Sequence, residues 1–259
     1  AFVPTLAVFI GVLGGLIAFG VIGLFLGPVV IALPEDMLCE VAQAIDRPRI
    51  ERPRQAADPE AMNALAAQLA TAKAPVAIIG GAGWDDEAAR DFAAFATAHG
   101  IPVAAGFRRQ DAVANDCPVW AGNLGYGPNP QLTARIKAAD LILAVGARLG
   151  EATTDSYTLV TPDHPGQILV HVHPDPDELG HVYRTDLSIC AGMAEFAAAA
   201  SALPAPKMPF FAGAEAHAEW LAWGTAAPFD TKLDLGMCVA AMREQLPADE
   251  AGAQPNHVA

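Results

Sequence analysis

The chain has 259 residues, which is enough for one large domain or two smaller ones. Its 29 Asp and Glu residues outnumber its 15 Lys and Arg residues, which gives a net charge of −14 at neutral pH. Such an acidic chain has no means of displacing counterions from phosphates, so the composition excludes nucleic acid as a partner. Every charged side chain lies after Pro34, and the acidity therefore belongs to residues 35–259.

Residues 1–34 are uncharged and apolar, and they exceed the roughly 20 residues with which a helix crosses a bilayer. Five glycines between positions 11 and 23 are typical of membrane helices that pack closely. No basic region precedes the apolar run, so it is not a signal peptide. The segment predicts one helix that anchors the chain in a membrane; the alternative is a buried core segment.

Residues 4–31 contain VFIGVLGGLIAFGVIGLFLGPVV, which resembles the last membrane segment of the autoinducer-2 exporter family of permeases. One such helix cannot form a transport pathway, and the acidic α/β body argues against a transport protein. GPVVIAL, residues 27–33, also resembles a strand that leaves a soluble domain. We interpret the chain as a join at this stretch, biological or made in sequence assembly. The rival interpretation is a membrane-anchored piece of an enzyme.

After residue 57, strand and helix signals alternate along the chain. The strand signals are near-continuous apolar runs that end in glycine or polar turns, and the helix signals show capping residues and helical spacing. This order predicts an α/β fold with a Rossmann-like, doubly wound parallel sheet. The predicted segments are helix 58–74, strand 75–84, helix 85–100, strand 101–106, helix 129–140, strand 141–150, strand 167–176 and helix 192–203.

Three loops of this fold are candidates for a binding site, because ligands of such sheets lie at the carboxyl ends of the strands. They are residues 80–83, 146–150 and 173–177. Glycine allows a backbone to approach a phosphate, and a guanidinium at Arg148 could bind one with two hydrogen bonds. Against this, Asp85 and Asp86 would repel an anion at the helix start. The residues leave two alternatives, a nucleotide site or plain turns at the edge of the sheet.

Other polar and aromatic residues have both a structural and a functional interpretation. One interpretation of the cluster Arg108, Arg109, Gln110 and Asp111 is contact with a substrate or a neighbouring domain; the other, which is commoner, is a solvated surface ion pair. His171 and His173 share one face of a strand with Asp175 beyond, but we assign no metal, because strand-end histidines usually serve as hydrogen-bonded structure. Trp84 and Trp120 are expected to pack rather than stack on a base. The aromatic spacing of residues 208–224 predicts a helix that packs on a neighbouring domain.

Residues 27–205 resemble the central domain of thiamine-diphosphate-dependent enzymes of the acetolactate synthase type. Five motifs fall in that family's order, namely PVAIIGGAGW, GIPVAAGFRRQD, AGNLGYGPNP, ADLILAVGARLGE and LVHVHPDPDELGHVY. Residues 229–249 resemble the first helix of the family's pyrophosphate-binding domain. The implied organisation is an apolar segment (1–34), a linker (35–57), the central domain (58–205), a second linker (206–228) and the start of a pyrophosphate-binding domain (229–259).

The resemblance implies an enzyme that uses thiamine diphosphate and Mg²⁺ to make or break a bond in a 2-keto acid. It also implies that the chain is a fragment or chimera that is inactive alone. The family's activating glutamate and its Gly-Asp-Gly…Asn metal motif are both missing from these residues, so we name no catalytic residue. Family members form dimers or tetramers, which leaves the oligomeric state of this chain open.

In some members of the family the central domain binds FAD or an adenine nucleotide. The positions that match those loops are Gly80, Gly81, Gly83, Gly146, Arg148, His173 and Asp175. The alternative function is a membrane-anchored module that binds a nucleotide or acts as a scaffold without catalysis. Four widely spaced cysteines without a CxxC pair predict reduced thiols, and hence a cytoplasmic location for residues 35–259.

Overall fold

A computed structural model describes residues 55–163, 166–206, 208–225 and 234–245. Within these ranges the strands are β1 (Pro75–Ile79), β2 (Val103–Ala105), β3 (Trp120–Asn123), β4 (Leu141–Val145), β5 (Ile168–His173) and β6 (Leu187–Cys190). The helices are α1 (Pro59–Thr71), α2 (Asp86–His99), α3 (Pro130–Ala138), α4 (Met193–Ser201), α5 (Ala212–Trp223) and α6 (Leu235–Gln245). A 3-10 turn spans Pro176–Glu178.

The strands form one sheet in the order β3-β2-β1-β4-β5-β6, and all neighbours are parallel. The order reverses between β1 and β4, which makes this the switch point of a doubly wound fold. Every side chain of β1 and β4 is buried, as expected for central strands covered on both faces. The predicted fold class is therefore confirmed.

One face of the sheet is covered by α1, α2 and α4, and we call it the three-helix face. Its core is a single cluster of apolar side chains that includes the fully buried Phe92 and Phe196. In α2 the buried positions recur at helical spacing. Asp85 caps the start of this helix, and Gly100 ends it with a left-handed φ of 70°.

The opposite face is covered by α3, the segment 149–160 and Ala216 of α5, and we call it the loop face; Trp220 of α5 belongs to the apolar cluster of the three-helix face. Its apolar cluster includes Leu132, Leu159 and Val160. Polar side chains are buried at its carboxyl end, among them His171 and Thr154, which are 3% and 0% exposed. The irregular segment 149–160 therefore covers part of the loop face, whereas helices cover the three-helix face.

Two strands differ from the sequence-based expectation. Strands β3 and β6 were not predicted from the sequence, because both are four residues long and lack a continuous apolar run. Helix α5 forms as predicted, and its packing on a neighbouring domain stays a prediction. The helix packs on β3 of the same sheet, where Trp220 lies edge-on to Trp120 at 6.5 Å and His217 Nδ1 lies 3.0 Å from the Trp120 carbonyl oxygen.

The predicted membrane helix of residues 1–34 and most of the linker 35–57 lie outside the described residues. Among the helices that the structure does describe, each is too short or too polar to span a bilayer. Membrane anchoring through residues 1–34 therefore stays a prediction.

Candidate functional site

The loops singled out in the sequence lie side by side at the carboxyl edge of the sheet. Backbone hydrogen bonds join each loop to the neighbouring strand: Gly80 donates to Val145 and Gly146 donates to Val172, at 2.9 and 2.8 Å. The Gly106 amide after β2 likewise donates to Ile79 at 2.7 Å. The parallel topology thus brings the three candidate loops together, as the sequence predicts for a doubly wound sheet.

Glycine is required at the switch point by a close approach of two backbones. Gly81 and Gly146 have φ values of 68° and 69°, in the left-handed region. A Cβ on Gly81 would overlap the Gly146 carbonyl oxygen, and a Cβ on Gly146 would lie 2.6 Å from the Met193 sulfur. Gly83 has more room, with Met193 at 3.8 Å. Close packing therefore explains Gly81 and Gly146, and the positive φ of 95° explains Gly83, whether or not a ligand binds.

The Arg148 side chain extends from the loop after β4 towards the 3-10 turn that follows β5. Its Nε lies 3.2 Å from Oε1 of Glu178. The arginine side chain is 70% exposed, whereas that of the glutamate is only 23% exposed. The guanidinium proposed to bind phosphate is thus already paired with a carboxylate of the same chain.

His173 and Asp175 hold the turn after β5 in place. His173 is buried, and its Nδ1 accepts a hydrogen bond from the Asp175 amide at 3.1 Å. The Asp175 carboxylate accepts from the Asp177 amide at 3.1 Å and so caps the 3-10 turn. Both side chains therefore have a structural partner at hydrogen-bond distance.

His171 is a buried structural histidine. Its Nε2 lies 2.8 Å from the Ala147 carbonyl oxygen, and burial lowers the pKa of the ring below its ordinary value. The neutral ring then donates from Nε2, which fixes the residue before Arg148. Throughout the described ranges, no three His, Cys, Asp or Glu side chains are grouped so that they could hold a metal ion.

The N-terminus of α2, which follows β1 at this edge, carries acidic residues of the chain itself. The Asp85 carboxylate accepts from the Ala88 amide at 2.8 Å, and Asp86 and Glu87 occupy the first turn of α2. Carboxylates at these positions complement the helix dipole and leave little attraction for a phosphate. The observation agrees with the objection that Asp85 and Asp86 raise in the sequence.

An aromatic and cationic group at the ends of β2 and β3 was not singled out as a site in the sequence. Phe107 lies edge-on to Tyr126 at 5.3 Å, and the Arg108 guanidinium carbon lies 5.0 Å from the centre of the Phe107 ring. Tyr126 is 83% exposed. The neighbouring Arg109 pairs with Asp111 at 3.5 Å, which confirms the ion-pair interpretation. The tyrosine between two glycines in GYG was the available signal.

The two tryptophans near the glycine loops pack, as expected. Trp84 lies edge-on to Phe92 at 5.5 Å, and its indole N–H donates to the Gly80 carbonyl at 2.8 Å. Trp120 is fully buried. The carboxyl edge of the sheet suits a diphosphate poorly. Arg148 is paired with Glu178, Asp85 caps the start of α2, and Asp175 caps the 3-10 turn.

Many proteins share the doubly wound fold, and a family match narrows this one to a class, the central domain of thiamine-diphosphate enzymes. The family model described as "Thiamine pyrophosphate enzyme, central domain" matches residues 62–200, which is more than half of the chain. The chain therefore belongs to this family. Its match runs from α1 to α4 and includes all the strands described above.

Relatives extend this likeness. A sulfoacetaldehyde acetyltransferase of Rhodobacter capsulatus is 30% identical over 165 residues, which cover 63% of this chain and 28% of that protein. An acetolactate synthase large subunit of Corynebacterium glutamicum is 25% identical over 63% of this chain and 26% of its own length. The chain thus spans about a quarter of the length of these relatives.

A solved structure shows the same fold. Benzoylformate decarboxylase from Polynucleobacter necessarius superposes with a TM-score of 0.52 at 20% identity. The match covers 78% of this chain and 36% of the other. At this identity the likeness concerns the fold alone.

Proposed function

We propose that residues 58–205 act as the central domain of a thiamine-diphosphate-dependent enzyme that acts on 2-keto acids, as an acetolactate synthase-like carboligase or decarboxylase. The observation that carries the proposal is the family match over residues 62–200. The names of the relatives, an acetyltransferase and an acetolactate synthase, support transfer of a two-carbon unit as the reaction class.

In this proposal the central domain is a scaffold rather than the seat of the chemistry. A mostly apolar core on the three-helix face, and an edge at which Arg148 pairs with Glu178 and Asp85 caps α2, support a structural role. No Gly-Asp-Gly sequence occurs in the 259 residues, so a hard-cation site of the family's kind would have to come from other residues. Thiamine diphosphate would supply the electron sink for the carbanion when bound. We therefore expect the 259 residues alone to be inactive.

A domain exchange tests the proposal directly. Residues 58–223 would replace the central domain of the Rhodobacter capsulatus sulfoacetaldehyde acetyltransferase, with circular dichroism and size-exclusion chromatography as checks of folding. We expect the folded hybrid to bind thiamine diphosphate and the 259-residue chain not to bind it. A folded hybrid that fails to bind the cofactor, or cofactor binding by the chain itself, would contradict the proposal.

The membrane-anchored alternative depends on residues 1–34. In that case we propose a cytoplasmic body, residues 35–259, tethered by a single apolar helix. Fractionation of cells that express the chain distinguishes the two. Recovery in the membrane fraction that is abolished by deletion of residues 1–26 supports anchoring, and recovery of the intact chain in the soluble fraction excludes it. The oligomeric state is read from the same soluble material by light scattering.

A further inference from the structure

We propose that Glu178 serves as an internal anion for Arg148 and thereby makes the carboxyl edge of this sheet reject phosphate-bearing ligands. The proposal concerns specificity at the edge and does not depend on the enzyme's reaction. Two observations support it. One partner of the ion pair is held more rigidly than the other, and the charges around the pair are mostly negative or already paired.

The rigid partner of the pair is Glu178. Its side chain is 23% exposed and belongs to the 3-10 turn, which Asp175 caps through the Asp177 amide. Arg148 is 70% exposed on a long, flexible side chain. A carboxylate that is only 23% exposed loses more by being left unpaired than a guanidinium that is 70% exposed, because it is less hydrated. Glu178 therefore determines where the guanidinium lies.

A phosphate at Arg148 would have to compete with this carboxylate. If it displaced Glu178, the carboxylate would remain partly buried without its cation, which is costly. If it bound alongside, its charge would add to that of Glu178 across a single guanidinium. Arg148 lies in the loop after β4, beside the switch point where anionic ligands of such folds bind. The ion pair thus occupies the guanidinium to which a diphosphate would otherwise bind.

The other groups at the edge do not compensate for the loss of Arg148. Asp85 already caps α2, so its carboxylate stands where a phosphate would meet the helix N-terminus. Arg109 is paired with Asp111, and Arg108 lies over the Phe107 ring. Arg148 and Arg109 are therefore paired with carboxylates, Arg108 lies over an aromatic ring, and the start of α2 is negative.

The proposal predicts both a failure to bind and a gain on substitution. Isothermal titration calorimetry would measure ADP, FAD and inorganic pyrophosphate against the 259-residue chain and its variants. We expect no saturable binding by the unaltered chain up to about 1 mM ligand, and at least about tenfold tighter ADP binding by Glu178→Gln than by Asp177→Asn. The Asp177 variant removes one charge from the same turn but leaves the Arg148 pair intact.

Two further measurements make the result decisive. The double variant Glu178→Gln with Arg148→Gln should lose the gain, because the released guanidinium carries it. Thermal unfolding identifies any variant that does not fold, and in that case the unaltered chain alone decides. Micromolar binding of ADP or FAD by the unaltered chain would overturn the proposal. Equal affinities of folded Glu178→Gln and Asp177→Asn would overturn it as well.

Discussion

The two faces of the sheet are covered by different kinds of structure. On the three-helix face, regular helices bury a continuous apolar cluster. On the loop face, two helices share the work with the irregular segment 149–160, and polar side chains such as His171 and Thr154 are buried beside the apolar ones. The three-helix face is mostly apolar, whereas the carboxyl end of the loop face contains a buried titratable ring, that of His171. The difference places most of the apolar packing on one face and the buried polar side chains on the other.

The largest effect should come from the three-helix face. Phe92→Ala removes a fully buried ring that contacts Trp84 and Phe95. We expect a loss of about 3–5 kcal/mol in the free energy of unfolding, from lost burial and the cavity left behind. Denaturant titration followed by circular dichroism measures it. Phe211→Ala is the matched control, since Phe211 is 77% exposed. Equal losses for the two variants would contradict a stabilising role of this apolar packing.

The next effect concerns the close approach of the two glycine loops. Gly81→Ala adds left-handed strain of about 1–2 kcal/mol and also a clash with the Gly146 carbonyl. Gly127→Ala separates the two causes, because Gly127 has a similar φ of 71° but no atom within 4 Å of the added Cβ. Thermal unfolding should show the larger loss for Gly81→Ala. A loss no greater than that of Gly127→Ala would mean that the loops are not in contact.

A smaller effect is expected at the start of α2, where the three-helix face meets the carboxyl edge. Asp85→Ala removes the hydrogen bond to the Ala88 amide and should cost about 1 kcal/mol. Asp86→Ala removes the same charge one residue later without removing the cap, and should cost less. Denaturant unfolding of both variants measures the difference. If Asp86→Ala proved the more damaging, charge rather than capping would explain the acidic start of the helix.

The smallest expected effect concerns the loop face, where His171 should make the free energy of unfolding depend on pH. Burial lowers the pKa of His171 below its ordinary value of 6.5, so the unfolded chain binds the proton first as the pH falls. The stability that the neutral ring confers is complete above that value and is lost towards the lower pKa of the folded state. His171→Asn should flatten the acid slope of the free energy of unfolding. A slope that survives in His171→Asn would disprove the account.

The central part of the fold was predictable because burial on both faces leaves a clear pattern. Strands β1 and β4 are continuous apolar runs, and α2 has a cap, a helical period and a terminal glycine. Edge strands lack that pattern: β3 contains Gly122, and β6 is only partly buried. The amphipathic period of α5 predicted a helix but could not identify the surface on which it packs.

The position of the candidate site could be predicted from the sequence, but the ion pair within it could not. Parallel topology places every loop that follows a strand at one edge, so the meeting of the three candidate loops followed from the strand signals. The pair of Arg148 and Glu178 joins residues from two different loops, and a side-chain conformation decides it. No periodicity in the sequence encodes such a contact.

The packing of α5 on β3 has a practical consequence for anyone who divides this chain. A fragment that ends at residue 205 would lack His217 and Trp220, which lie against the outer strand of the sheet. The uncovered strand would present free backbone groups and the ring of Trp120 to other molecules, which is the usual origin of edge-to-edge association. A fragment that continues to Trp223 keeps that strand covered, so we expect it to stay monodisperse where the shorter one precipitates.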